Sequence, residues 1–402
     1  MNVAVVGAGT AGLAASILLS RAGIRVTLYE LVSRPAPVGA GLLLQPTGMR
    51  VLEGLGLGER ILSHGAVVDR LLGTIPSGRV VMDLRYRDAA PEARGVGIHR
   101  GALFSALWSA MTTSGVDLHV GSAVSGLEQE GRQVRVRLDG SDDGRAFDAA
   151  IIADGTFSRL RGELAIKQRC VAYPWGAWWS ILPDRERRFQ KVLRQWYRNA
   201  SEMLGVMPVG RLPAASDDTP HVTLFWSVRC AAEAALRERG LEPWKSMVRT
   251  LAPEVEPLLA EVRDASQLLF ARYADVRMSR WNDGRIAVIG DAAHATSPQL
   301  GQGANLALVD AAVLARCLTV DGDPARALAA YTTARRPHLR YYQWASSALT
   351  PIFQSDARIG PWLRDATMGV VCKVAPLRAP MLATLTGART GFVRGRRPLG
   401  LD

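Results

Sequence analysis

The sequence predicts an α/β fold: a parallel-sheet domain, interrupted by a mostly antiparallel β insertion and followed by C-terminal helices. Three observations carry this. The chain opens with strand, glycine-rich turn, helix and strand between Val3 and Glu30. Its character changes to antiparallel-type strands from about residue 166 to 272. It then returns, at Arg285–Ile289, to a buried strand that runs into a Gly-Asp turn and a long apolar helix.

Val3 to Val6 is a short apolar run, β-branched apart from Ala4, as a strand covered on both faces requires. Gly7, Gly9 and Gly12 follow with GxGxxG spacing. The first permits the tight turn, the second lets backbone approach a pyrophosphate, and the third lets helix and strand pack closely. Ala11 to Arg21 reads as a helix with Leu13, Ile17 and Leu18 on one face. The free N–H groups at its start, with the positive end of its dipole, suit phosphates. Ile24 to Tyr29 is the second strand. It ends at Glu30, placed to accept hydrogen bonds from a ribose diol. Together these elements predict a Rossmann-like dinucleotide site.

Val38 to Leu44 is a glycine-rich bend leading to a helix with Pro46 in its first turn and Gly56 at its end. Asp69–Ile75 and Arg79–Tyr86 read as strands joined at Pro76-Ser77-Gly78. A helix opens at Arg100 and runs to about Met111. Val116–Val120 is a strand, Val124–Glu128 and Gln133–Leu138 form a hairpin, and Phe147–Ala153 is an apolar strand. That last strand ends in Asp154-Gly155-Thr156-Phe157-Ser158-Arg159-Leu160-Arg161, or DGxxSxxR. In the insertion, Val171–Leu182, Met203–Val209, His221–Val228 and Leu268–Tyr273 read as strands, with a helical excursion from Ala231 to about Val262. This stretch carries Trp175, Trp178, Trp179, Trp196 and Trp226. Trp178 and Trp179 are adjacent in a strand and must face opposite ways, so at most one of them lines a pocket. The late motif runs from Gly290 and Asp291 through His294, Pro298, Gly301 and Gly303 to Asn305. A helix is expected from Ala304 to Cys317, then another from Pro324 to Tyr342, broken near Pro337.

At 402 residues two domains are expected, and 48% apolar residues is ordinary for a globular protein. The chain starts directly in a core strand, with no basic, apolar leader ahead of it. No apolar run nears the roughly 18 residues needed to cross a bilayer. Cys170, Cys230, Cys317 and Cys372 are widely spaced with no CxxC, and read as reduced thiols of a cytoplasmic protein, with neither metal site nor disulfide framework. The net charge is +12, but the arginines are scattered apart from Arg394, Arg396 and Arg397. The charge therefore points to steering of acidic small molecules, or loose attraction to an anionic membrane, and away from nucleic acid.

The three motifs, in this order, resemble those of the single-component (class A) FAD-dependent aromatic hydroxylases, the class of para-hydroxybenzoate hydroxylase. The resemblance covers roughly residues 1–165 and 273–345. It implies a glutathione reductase-type FAD domain (1–68, 97–165 and 273–345), a substrate-binding domain (69–96 and 166–272) and a C-terminal helical segment (346–402). It implies that Gly7, Gly9 and Gly12 cradle the pyrophosphate of noncovalent FAD and that Glu30 binds the adenosine ribose, with Arg34 near the adenosine. Gly41 would lie beside the isoalloxazine, and Arg100 would reach the phosphates. Asp154 and Arg161 would belong to a motif serving FAD and NAD(P)H. Asp291 would bond the ribityl chain and Pro298 would line the flavin edge. Gly301 to Gly303 and the start of the following helix, with Asn305 in its first turn, would face flavin N1 and O2. That placement also has a physical reason, since reduced flavin carries negative charge there and a helix start stabilises an anion.

By the same resemblance NADPH or NADH reduces the flavin, O2 adds at C4a, and the resulting hydroperoxide hydroxylates a small aromatic substrate, phenolic or heteroaromatic. The assembly is expected to be a monomer or homodimer. No motif places the residue that deprotonates the substrate; Gln45 and Thr47 qualify by position only, and His294 fits a structural role better than a base. Flavin-dependent halogenases share the fold, but Trp175 to Pro183 has the wrong spacing for their WxWxIP box, and no lysine precedes Lys167. A membrane-associated hydroxylase of a prenylated quinone precursor remains an alternative because of the basic, amphipathic tail. So does an FAD-binding protein that shields a reactive intermediate without turnover.

Overall fold

The buried strand at the N-terminus, β1 (Asn2–Val6), leads into α1 (Thr10–Arg21), and the chain returns beside it as β2 (Arg25–Glu30). The pairing is parallel, Val3 opposite Val26 and Val5 opposite Leu28. The computed structural model describes residues 1–36, 39–213 and 217–392. Val38, where the expected bend begins, and Arg394, Arg396 and Arg397 lie outside the described residues.

Next come β3 (Gly41–Leu44), α2 (Pro46–Gly54), α3 (Gly58–His64) and the antiparallel pair β4 (Ala66–Thr74) and β5 (Val80–Arg85). Strand β6 (Gly95–His99) feeds α4 (Arg100–Thr112), capped where His99 Nδ1 accepts from the Gly101 N–H at 3.0 Å. After β7 (Asp117–Val120) a three-stranded meander forms from β8 (Val124–Glu130), β9 (Gln133–Leu138) and β10 (Ser141–Phe147), and β11 (Ala149–Ile152) is buried throughout. The expected hairpin is thus extended by one strand, β10.

A short helix α5 (Leu160–Glu163) precedes the long β12 (Gln168–Pro183), β13 (Lys191–Arg198), β14 (Glu202–Gly210) and β15 (His221–Arg229). Helices α6 (Glu233–Glu238), α7 (Leu241–Leu251) and α8 (Glu256–Glu261) then lead to β16 (Leu269–Met278). The chain re-enters the first domain as β17 (Asn282–Asp283) and β18 (Ile286–Val288), then α9 (Asp291–His294), α10 (Gly303–Val320), α11 (Pro324–Phe353), α12 (Ile359–Val371) and α13 (Ala375–Leu385).

Helix α11 corrects one expectation, because it continues through Pro337 without a break. Proline removes the hydrogen bond to the carbonyl of Thr333 and its ring crowds that oxygen. That residue is exposed, so water can take up the freed oxygen, while buried Tyr331, Arg335, His338 and Leu339 hold the helix on its other side.

Two large sheets result. The first has the order β17-β18-β11-β1-β2-β7, with β18, β11, β1, β2 and β7 parallel. Its core includes Leu13, Ile17, Leu103, Leu107, Leu308 and Leu314 of the covering helices. The second is nine-stranded, β16-β12-β15-β14-β13-β4-β6-β3, with β5 beside β4.

Alternation along β12 decides what the tryptophans do. Trp178 packs with Trp196, Trp226 and Trp244 against α7 and α8 on one face, while Trp179 lies on the other with Phe225 and Tyr197. Of that pair, Trp179 alone faces away from the helical layer. Trp178, Trp196 and Trp226 are core, as large apolar side chains at strand spacing usually are.

Candidate active site at the ends of the parallel strands

The three motifs leave neighbouring parallel strands at the same edge, the position where open α/β sheets bind ligands. Gly7 follows β1 and donates its N–H to the Tyr29 carbonyl at 2.8 Å. Its φ is +102°, and a Cβ there would lie 2.6 Å from the Ala153 carbonyl oxygen at the end of β11. A Cβ on Gly12 would lie 1.9 Å from the Gly7 carbonyl oxygen. Neither position admits a side chain, so the turn and the close helix packing are both paid for by glycine.

Gly9 differs. It is exposed, has no atom within 4 Å of its would-be Cβ, and is the N-cap of α1. No side chain caps that helix and no acid stands in its first turn. The open face therefore presents unpartnered N–H groups and a positive dipole end, the combination that accepts a phosphate. Glu30 closes the turn from behind: Oε2 accepts from Ala8 N and Oε1 from Val32 N, each at 2.8 Å. Each carboxylate oxygen has a lone pair left for a ligand hydroxyl. Arg34 is exposed beyond β2.

The second motif begins where β11 ends. Asp154 accepts from the Ser158 hydroxyl at 2.8 Å, and that hydroxyl accepts from Arg161 N at 3.0 Å. One edge of Asp154 meets solvent, but loss of hydration on the protein side raises its carboxyl above the usual range. The Ser158 bond and the Arg161 charge oppose that rise. Arg161 is buried and bonds the Thr156 carbonyl at 3.0 Å, the Ala292 carbonyl at 2.7 Å and Gln168 Oε1 at 3.0 Å. It ties the second motif to the third.

The third motif closes on the first. A Cβ on Gly290, whose φ is +63°, would lie 2.8 Å from the Ala11 Cβ. Asp291 is exposed, and its Oδ1 is 3.6 Å from where a Cβ on Gly303 would stand. The acid and the start of α10 therefore border the same space. Pro298 begins a 3-10 turn that Gly301 ends in the left-handed region, its N–H donating to the Pro298 carbonyl at 2.9 Å. Asn305 is buried and bonds protein on both sides of its amide. It accepts from Gln45 N at 2.8 Å and donates to the Leu43 and Gly301 carbonyls, both at 3.0 Å. It locks β3 to the turn. A Cβ on Gly41 would lie 2.5 Å from Val209 Cγ1 and 2.7 Å from Thr223 Cγ2, so protein packing alone demands glycine there. Arg100, exposed at the start of α4, packs its side chain on Gly39 and donates its N–H to the Ala40 carbonyl at 3.0 Å.

Of the positional candidates for proton transfer, Gln45 is fully buried with Oε1 accepting from the Tyr86 hydroxyl at 2.7 Å. Thr47 packs under Gly387. His294 Nε2 meets Asp310 Oδ2 at 2.5 Å, inside the protein.

Two groups carry no motif. Asp310, on the inner side of α10, binds His294, the Gly290 N–H at 2.9 Å and Arg335 Nε at 2.7 Å; Arg335 bonds on to His338. The His294 and Arg335 charges hold the Asp310 carboxyl well below the usual range against the desolvation that would raise it. Burial and the Arg335 charge push His338 far down. A lone acid in an apolar helix, with Arg335 and His338 one turn apart later on, was the only sequence signal. The second group lies at a bulge in the β12–β16 pairing, between Ala172 and Gly176. Tyr173 donates to Asp275 Oδ2 at 3.0 Å. Burial raises both groups, and the Thr350 and Ser297 hydroxyls act on Tyr173. Ser297 precedes Pro298, so this pair borders the third motif; bulges often re-aim side chains at functional sites.

The fit to a flavin dinucleotide rests on chemistry present in the chain: two uncapped helix starts for anionic groups, open space at Gly9, and an exposed carboxylate at Asp291 for hydroxyls. Such a site on such a fold defines an FAD-dependent oxidoreductase. Residues 1–342 match the family described as FAD binding domain. Kynurenine 3-monooxygenase of Salinispora arenicola is 32% identical over 365 residues, covering 84% of this chain and 76% of that protein. Aurachin C monooxygenase/isomerase of Stigmatella aurantiaca is 27% identical over 380 residues, covering 92% and 94%. The crystal structure of Klebsiella pneumoniae HpxO complexed with FAD and uric acid superposes with a TM-score of 0.82 at 22% identity, covering 96% of this chain and 97% of that one. The chain belongs to the FAD-binding-domain family, and within it to the class A FAD-dependent aromatic hydroxylases and monooxygenases.

Proposed function

We propose that this protein uses NAD(P)H and O2 to insert one oxygen atom into the ring of a small, electron-rich aromatic substrate, phenolic or heteroaromatic. The observation that carries the reading is the convergence of Gly7, Asp154 and Gly290 on one edge of the parallel sheet, with Gly7 against Ala153 and Gly290 against Ala11. The names of the relatives support an aromatic substrate class. Bound FAD would supply the electron transfer and oxygen activation, which no side chain provides.

The chain supplies binding and electrostatics. The start of α1 and Gly9 would hold the pyrophosphate, Glu30 a ribose hydroxyl, and Asp291 the polyol chain. Asp154 would sit beside the cofactor, with Arg161 positioning both motif turns. The start of α10, opened by Gly301 and Gly303, would stabilise negative charge on the ring system. Trp179, stacked on Phe225 at 4.9 Å and bonded to the Tyr273 hydroxyl at 2.9 Å, gives the insertion a fixed aromatic surface. Tyr173, donating to Asp275 beside Ser297, is the group on this chain placed to exchange a proton with a phenolic hydroxyl.

The test is an NADH and NADPH oxidation screen over phenolic acids, aminobenzoates and quinolones, with products read by mass spectrometry under labelled O2. Incorporation of one labelled atom into a ring supports the proposal. Pyridine-nucleotide oxidation that yields only hydrogen peroxide with every aromatic tested would refute it.

A further inference from the structure

Helix α12 leaves a large apolar face to water. Its exposed face carries Ile359, Trp362, Leu363 and Val370, and the elbow into α13 adds Val374 and Leu377. Trp362 is 69% exposed and Ile359 81%. The spacing from Ile359 through Val370 is that of one helical stripe. The inner face carries Pro361, Arg364, Met368 and Gly369, with Met368 packed on the core beneath. Arg364 is buried there, donating to the Ile352 and Asn199 carbonyls at 3.0 Å each, with its guanidinium 4.7 Å from the Tyr197 ring centre. Gly369 lies close against the Val80 carbonyl. A helix so anchored cannot roll to bury its tryptophan. Soluble surfaces rarely leave a contiguous apolar stripe to water.

Charge identifies the occupant. Besides buried Arg364, the sequence from residue 357 to 402 has seven arginines and lysines against two aspartates, and Arg358 and Lys373, both exposed, bracket the helix. We propose that the α12–α13 elbow is a docking surface for an anionic phospholipid bilayer, with Trp362 and its apolar neighbours seated at the headgroup level and Arg358 and Lys373 against the lipid phosphates. A second copy of this chain is a poorer occupant, because two such faces would set like charges together. The bend between α12 and α13, 108°, suits a surface elbow rather than a straight span. Near its end α13 touches the third motif, where Gln302 Nε2 donates to the Leu385 carbonyl at 2.7 Å. This proposal does not rest on the hydroxylase reading.

The experiment is co-sedimentation of the full-length, FAD-loaded protein with large vesicles of phosphatidylcholine, with and without phosphatidylglycerol. Binding is expected with the anionic vesicles, weakening at about 0.5 M salt, where screening is strong. In Trp362→Ser/Leu363→Ser the vesicle partition coefficient should fall about tenfold or more. NAD(P)H oxidation without vesicles should not change in that variant, which separates failure of this proposal from failure of the proposed activity. No binding to anionic vesicles, or binding that the double variant retains in full, overturns the proposal. So does light scattering that shows a dimer dissolved by the same two substitutions.

Discussion

Replacing Asp310 with Asn tests how the third motif is held. The carboxylate is fully buried and serves as acceptor for Gly290 N, Arg335 Nε and His294 Nε2. Asparagine keeps the shape but offers one acceptor oxygen and turns an amide donor toward another donor. It also leaves the Arg335 guanidinium, itself fully buried, without its counter-charge. Stranding one member of a buried ion pair costs about 3–5 kcal/mol, a large share of the roughly 5–15 kcal/mol that keeps a domain folded. Urea unfolding followed by circular dichroism, with FAD saturating in both proteins, should show a loss of that size. In Asp310→Asn/Arg335→Gln the loss should be smaller than the sum of the single effects. The pH dependence has a definite sign. The folded-state carboxyl titrates below its ordinary value of 3.8, so its contribution is complete above that pH and is lost progressively as pH falls from there to the lower folded-state value. The gap between parent and variant should therefore narrow in acid. A loss under about 1 kcal/mol at neutral pH, or a gap that widens in acid, would refute the reasoning.

Three further outcomes are expected. Gly12→Ala places a methyl 1.9 Å from the Gly7 carbonyl oxygen, so the protein should purify with little flavin, read from its visible absorbance; full occupancy would show the turn does not hold the cofactor. Asp291→Ala should weaken FAD retention, measured by fluorescence on dilution, more than His294→Ala does, because Asp291 is exposed at the site and His294 is spent on Asp310. Equal retention removes the assignment of Asp291. Tyr173→Phe deletes the hydrogen bond to Asp275 and should lower kcat by about tenfold or more and shift the pH profile of kcat, with little change in flavin content. An unchanged profile would reduce Tyr173 to packing.

Much of the parallel domain was legible because its signals are local: a β-branched run, glycines at fixed spacing and an acid eighteen residues beyond Gly12 lie within thirty residues. What the motifs could not convey is which atoms make the glycines obligatory. Gly12 is required by the nearby Gly7 carbonyl, but Gly7 by the Ala153 carbonyl and Gly41 by Val209 and Thr223, which are more than a hundred residues away. Strand β13 escaped notice because Lys191, Arg194 and Arg198 blur its alternation and its parallel partner, β4, is more than a hundred residues earlier. Which face of β12 meets the helices depends on where α7 and α8 pack, and sequence spacing leaves that open. Asp310 was hidden for the same reason. Its charge makes sense only beside Arg335, which α11 brings back from twenty-five residues on.

The central claim is that Gly9, Asp154 and Asp291, arriving on three adjacent strands, border one flavin nucleotide. An experimentally determined structure of the protein with FAD tests it most directly. The account predicts pyrophosphate density at the start of α1 beside Gly9 and the ring system at the start of α10 beside Gly301 and Gly303. Density for FAD at any other edge of the molecule, with the space at Gly9 filled by solvent, would contradict it.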